Sequence, residues 1–212
     1  EGEGEVVPDG VGLTNLLIGD SLGGLTKMTY TKAHVRMPER SVVNLKNCSF
    51  RITADVTTVA ESHGVIACQG GNMAGWSLYL NDEAVPVFHY NWLGHEHYVI
   101  SGTAPLPVGH HRVVVEFAYD GGFGGPGTAV LLVDDVAVGH GRIEKTVPIV
   151  FSMSGETFDV GIDTGSPVGN YHHNYNFVGN IKGVTLERLS EPSPEIAERI
   201  REGEFRASLA TQ

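Results

Sequence analysis

Apolar and polar residues alternate with a period of two along much of this chain. In residues 49–59 (S-F-R-I-T-A-D-V-T-T-V) the alternation puts Phe50, Ile52, Ala54 and Val56 on one face, as in a half-buried strand. Residues 64–69 (G-V-I-A-C-Q) form a continuous apolar run, which predicts a central strand buried on both faces. Residues 75–94 read as a hairpin. Trp76, Leu78 and Leu80 alternate with Ser77, Tyr79 and Asn81, the period of a strand with one buried face, the turn is Asn81-Asp82-Glu83-Ala84, and 85–91 return. Further strands are expected at 98–100, 111–119, 128–133, 136–143, 147–153, 157–161 and 176–189, the last with a bulge where Gly179 and Gly183 interrupt it. Turn signals every ~8–12 residues between short strands predict an all-β sandwich of antiparallel strands.

The two ends depart from this pattern. Residues 1–25 are acidic and then glycine-rich and read as a linker or arm, leaving 26–190 for the sandwich. Residues 191–212 read as a short helical tail: Ser193 is the N-cap, Pro194 the first helical position and Glu195 the acid of the first turn. Ile196 and Ile200 share a face, and Gly203 ends the helix.

Composition adds limits. A chain of 212 residues suits one large β domain, and 28 glycines suit many tight turns. A net charge of −11 argues against nucleic acid and anionic membranes as partners. No apolar run approaches the ~20 residues of a membrane span. The start at Glu1 rather than Met, without a signal peptide, suggests a piece of a longer protein. Cys48 and Cys68 allow a disulfide, but free buried thiols are the favoured reading, and this leans toward a reducing cytoplasm.

The text from about Val42 to Leu189 also resembles a known family. The segments are N-L-K-N-C-S-F-R-I-T-A-D-V (44–56), G-V-I-A-C-Q-G-G-N-M-A-G-W-S-L-Y (64–79), H-Y-N-W-L-G (89–94), V-E-F-A-Y-D-G-G (115–122) and G-E-T-F-D-V-G-I-D-T-G-S-P-V (155–168). In that order they resemble the C-terminal β-sandwich domain that follows the catalytic domain of bacterial arylsulfatases. The resemblance implies a concanavalin A-like jelly roll, in agreement with the strand spacing. It also implies a parent enzyme, a sulfuric ester hydrolase with formylglycine and calcium in a catalytic domain. The C/S-x-P-x-R motif of that chemistry is absent, since Cys48 is followed by Ser-Phe-Arg-Ile and Cys68 by Gln-Gly-Gly-Asn. The resemblance therefore implies a non-catalytic accessory domain without a cofactor of its own. Its partner would be the sulfatase catalytic domain, which it would support structurally, by shaping substrate access or by subunit contacts. A surface made for docking would also let the isolated chain self-associate as a homo-oligomer.

Three groups of residues carry candidate chemistry. His95-Glu96-His97 would put two imidazoles on one face of a strand, as in a zinc site, against the simpler reading of surface histidines. Asp159 and Asp163 flank a glycine-rich bend that could hold a structural calcium, or they could cap turn N–H groups. Trp92 and its aromatic neighbours, with the loop Asn170-Tyr171-His172-His173-Asn174-Tyr175-Asn176, supply rings with polar tips. The expected ligand-binding residues are thus Trp92, His95, His97, Tyr171, His172 and His173, and the alternative function is a lectin-like carbohydrate-binding module. The glycine-rich 120–127 lacks Lys and joins two strands, which excludes a phosphate loop. No E-x-D-x-E-like strand motif marks a glycanase.

Overall fold

The computed structural model describes residues 25–152 and 155–190, with Pro194, Glu198 and Glu202. The expected arm and helical tail fall outside that set, apart from Leu25 and those three positions. The strands are β1 (Lys27–Tyr30), β2 (Phe50–Thr58), β3 (Gly64–Gly70), β4 (Gly75–Leu80), β5 (Pro86–Trp92), β6 (Glu96–Ser101), β7 (Gly109–Tyr119), β8 (Gly127–Val133), β9 (Val136–Ile143), β10 (Phe158–Val160) and β11 (Asn180–Arg188). They form a six-stranded sheet, β1-β11-β2-β7-β8-β9, and a five-stranded sheet, β10-β3-β4-β5-β6. Every strand pair is antiparallel. Among the described residues no helix is long and apolar enough to cross a membrane.

The core lies between the sheets. Phe50, Ile52, Ala54 and Val56 face it from β2, as their spacing predicts, and Trp76, Leu78, Leu80 and Phe88 face it from the other sheet. Trp76 donates its indole N–H to Gln69 Oε1 at 3.2 Å, which satisfies the one polar atom it brings inside. Ile52 is fully buried in the middle of β2. Truncation to alanine is expected to destabilise the fold by about 2–5 kcal/mol, read as a lower urea midpoint with an unchanged slope.

Local chemistry explains the turns. Asn81 Oδ1 accepts from the N–H groups of Glu83 and Val85 and closes the β4–β5 turn. Asp134 and Asp135 both take positive φ, 49° and 67°, the hand that suits a two-residue hairpin between twisted strands. The β11 bulge falls between Ile181 and Gly183. β9 lies against β6, the last strand of the five-stranded sheet. A Cβ on Gly139 would come within 2.5 Å of Ser101 O, so only glycine fits that approach.

Three expectations need correction. The hairpin of β4 and β5 is buried on both faces, not one. Residues 147–152 are not a strand: Pro148 breaks the run, and the Glu39 carboxylate takes the N–H groups of Phe151 and Ser152. Lys46 pairs with Glu39, and these contacts hold its carboxyl below the ordinary range against the opposing effect of burial. β11 begins at Asn180, and 176–179 belong to the preceding loop. Cys48 and Cys68 are buried thiols that form no disulfide.

Candidate binding groove

Strand register fixes the outer face of the five-stranded sheet. On that face Tyr79 pairs with Val87 and Val87 with Ser101. In the next row Asp159 pairs with Cys68, Cys68 with Ser77, Ser77 with His89 and His89 with Val99. Beyond it, Asn91 pairs with His97. An uncovered sheet of this kind would leave Ser77 and His89 in water, yet both are fully buried. The cover is residues 161–178, which come from the loop between β10 and β11.

Two sets of contacts hold this cover down. Val65 N donates to Tyr175 O at 2.9 Å and makes a parallel bridge with Asn176. Tyr171 donates its phenol to Asp163 Oδ2 at 2.8 Å and accepts from Ser77 Oγ at 2.9 Å. Its ring meets Tyr79 edge-on at 4.9 Å and stacks on Tyr175 at 5.6 Å. Tyr175 donates its own hydroxyl to Asp82 Oδ1 at 2.5 Å. Burial raises the pKa of all three tyrosines, with Tyr79 pushed to about 12. They remain neutral phenols at any physiological pH.

The cover stops short of β6. Between its 170–175 segment and β6 lies an open groove of about 550 Å³, a size typical of small-molecule sites. Val99, 49% exposed, and Val87 make its floor, and the Tyr79, Tyr171 and Tyr175 cluster makes one wall. Asn170, His172, Asp82 and Ser101 stand exposed around the opening. The arrangement offers apolar ring edges, amide and hydroxyl groups, one imidazole and one carboxylate. It is suited to a polar ligand with some apolar surface.

Of the residues singled out from the sequence, Tyr171 and His172 line the groove, and His173 sits just outside with its ring nitrogen 2.8 Å from Gly165 O. Trp92 does not join them. It shares the register of Phe88 and Tyr90 and faces inward, with Lys145 Nζ 4.5 Å above its ring. His95 and His97 do not form a pair either. Leu93, Gly94 and His95 are a turn with positive φ at Leu93 and Gly94, so the alternation that would align the two imidazoles never starts. His97 instead contacts His89 across the sheet, Nδ1 to Nε2, at 2.8 Å. His89 Nδ1 has no partner, and a Cβ on Gly169 would come within 3.1 Å of it. Burial, and then the neighbouring His97, lower the pKa of His89 to about 4. The bare Nδ1 assigns the proton to Nε2, which donates to His97.

Asp159 and Asp163 are both 1% exposed and, with Cys68, put three donor atoms within 4.8 Å of one another. Each carboxylate oxygen is already engaged. Asp159 accepts from Arg36 N through Oδ1 and from Thr164 N and Oγ1 through Oδ2. Asp163 accepts from Gly165 N through Oδ1 and from Val168 N and Tyr171 through Oδ2. Burial raises the Asp163 carboxyl above its ordinary range, and burial with the two carboxyl groups keeps the Cys68 thiol protonated. A hard cation would have to displace these donors and accept a soft sulfur beside them. Adding about 1 mM calcium is therefore expected to move Tm by less than about 1 °C, and a rise of several degrees would establish a cation site.

Sequence reasoning missed Tyr79, Asp82, Val99, Ser101 and Tyr175. Tyr175 was within reach, because it ends the polar aromatic loop that holds Tyr171. Tyr79 belonged to the aromatic series around Trp92 but was not singled out from it; Asp82 arrives from the β4–β5 turn, and Val99 and Ser101 reach the groove through strand register.

No family model and no curated protein matches the chain. Several solved structures have a similar fold. The K499G mutant of NanB sialidase from Streptococcus pneumoniae is 13% identical with a TM-score of 0.52, over 80% of this chain and 26% of that one. The Ruminococcus gnavus IT-sialidase CBM40 is 14% identical with a TM-score of 0.49, over 73% of this chain and 84% of that one. Mouse laminin alpha1 chain, domains LG4-5, is 17% identical with a TM-score of 0.46, over 69% of this chain and 39% of that one. The architecture is an all-β jelly-roll sandwich of two antiparallel sheets.

Proposed function

We propose that this chain is a non-catalytic, lectin-like carbohydrate-binding module whose saccharide site is the groove between Tyr171 and β6. The observation that carries the reading is the groove's composition. A floor of Val87 and Val99 and a wall of tyrosines accept the apolar face of a sugar ring. Asn170, His172, Ser101 and Asp82 surround it with hydrogen-bonding groups for hydroxyls. Asn170 and His172 are exposed, so replacing either with alanine is expected to change stability by less than about 0.5 kcal/mol. Each replacement should weaken saccharide binding by up to about tenfold, the effect of one lost hydrogen bond, measured by calorimetric titration. Absence of saturable binding across a broad glycan array would remove the reading.

A second reading rests on where three of the sulfatase-like segments meet. Asn72 N donates to Ser166 Oγ at 2.9 Å, and Ser166 Oγ has two acceptors for its one proton, Asn72 Oδ1 at 3.1 Å and Glu156 Oε1 at 3.2 Å. Asn91 Nδ2 donates to Gly71 O and Asn72 O, both at 3.0 Å. Segments 64–79, 89–94 and 155–168 thus build one rim of the five-stranded sheet, with Met73 exposed on it. In this reading the rim is where an accessory domain rests on the catalytic domain of a bacterial arylsulfatase, which would hold the formylglycine and calcium. A C/S-x-P-x-R motif encoded in frame upstream of Glu1 is the expected result. A signal peptide or initiator Met directly ahead would remove this reading. In both readings the purified chain does not hydrolyse p-nitrophenyl sulfate.

A further inference from the structure

The groove has a charge character that narrows its ligand. Residues 52–111 and 146–181 contain no Lys or Arg. These two stretches supply β3, β4, β5, β6, β10 and the whole cover, and hence every side chain that lines the groove. The same stretches bring Asp82, Glu83 and Glu96 to the surface side and bury Asp159 and Asp163 beneath the cover. Five of the described basic side chains are engaged away from the groove. Arg51, Arg112 and Arg142 pair with acids on the six-stranded sheet and its turns. Lys32 donates to Phe177 O and Gly179 O, and Lys145 pairs with Glu96 over the inward-facing Trp92.

Recognition of a carboxylate or sulfate ester normally rests on an Arg or Lys, because the anion must recover its lost hydration from charge-assisted hydrogen bonds. Here an anion would enter beside the Asp82 carboxylate with no Lys or Arg among the described residues that line the groove to meet it, and like charges at short range repel. A neutral sugar meets no such opposition, since hydroxyls can both donate to Asp82 and accept from the Asn170 amide. Resting on the carbohydrate reading above, we infer that the groove takes neutral glycans and rejects sialylated, uronic acid-containing and sulfated ones.

The test is an array of matched pairs probed with the whole chain: lactose beside 3′-sialyllactose and 3′-sulfolactose, and neutral cello- and chito-oligosaccharides beside their carboxylated or sulfated counterparts. The assay is run at pH 8, above the range in which histidine side chains generally change charge. Neutral members are expected to bind, with each anionic counterpart at least about tenfold weaker, the size of one missing charge-assisted contact. Neutral affinities should change less than about twofold between about 50 and 500 mM NaCl, because no ion pair is there to be screened. An anionic glycan that binds as tightly as its neutral parent overturns the inference while leaving the carbohydrate reading intact, as does affinity that collapses with salt. Absence of binding by every member overturns the carbohydrate reading and the inference with it.

Discussion

Replacing Gly64 with alanine is expected to detach the cover from the sheet and to destabilise the fold by about 3–5 kcal/mol. Gly64 opens β3 at φ +106°, a conformation other residues reach only with strain. A Cβ there would fall 2.0 Å from Asn176 O and 2.4 Å from its carbonyl carbon. The obstacle is backbone, so no rotamer change relieves it. The same segment carries the hydrogen bond from Val65 N to Tyr175 O, so the collision forces apart the contacts that place Tyr175 and Tyr171 beside the groove. Gly121 supplies the control. It has φ +103°, and a methyl group added there would meet nothing within 4 Å. Gly121→Ala therefore carries the backbone strain without the clash and should destabilise by about 1 kcal/mol. Urea titration of both variants separates the two effects, and saccharide binding should be lost in Gly64→Ala alone. Equal losses of stability would show that the cover is not seated as described.

The second large effect is a pH dependence centred on His89. Folded, its pKa lies at about 4, against 6.5 for the free side chain. Between those values the unfolded chain binds more protons than the folded one, so acid favours unfolding. Stability should therefore be complete above about pH 6.5 and fall as pH drops toward 4, by on the order of 3 kcal/mol in total. Asp163 acts in the opposite sense, since its raised pKa makes the folded state the better proton acceptor. Glu39, with its lowered pKa, adds to the acid loss. The difference between wild type and His89→Gln isolates the histidine. Denaturant unfolding from pH 7 to 4.5 should show wild type losing about 2–3 kcal/mol more than the variant. Parallel curves would overturn the assignment.

How much could be read beforehand follows from the range of each interaction. The inward face of β2 was legible because Phe50, Ile52, Ala54 and Val56 each signal within two residues of the next. The continuous run of β3 disclosed that both its faces are covered, but not by what. Tyr171 reaches Ser77 across 94 positions of sequence, and no local pattern records such a contact. Alternation on β4 consequently read as half-exposed, although its outer face lies beneath the loop. His95 and His97 failed for a local reason: alternation assumes extended backbone, and the turn at Leu93–His95 resets it. The 147–152 run has the apolar content of a strand, but its N–H groups are taken by a side chain, Glu39, more than a hundred positions away. The groove was legible only as far as its polar aromatic loop.

The seating of β9 against β6 has a consequence for how the groove can recognise anything. A strand at the end of a sheet ordinarily offers its peptide groups to a foreign chain, the route of β-augmentation and of fibril growth. Beside Ser101 that route is closed, because β9 approaches so nearly that even a methyl group on Gly139 would not fit. An extended peptide cannot lengthen the sheet there. Whatever occupies the groove is held without adding a strand at that edge, and the groove's selectivity can be altered one side chain at a time without unpicking the sheet beneath.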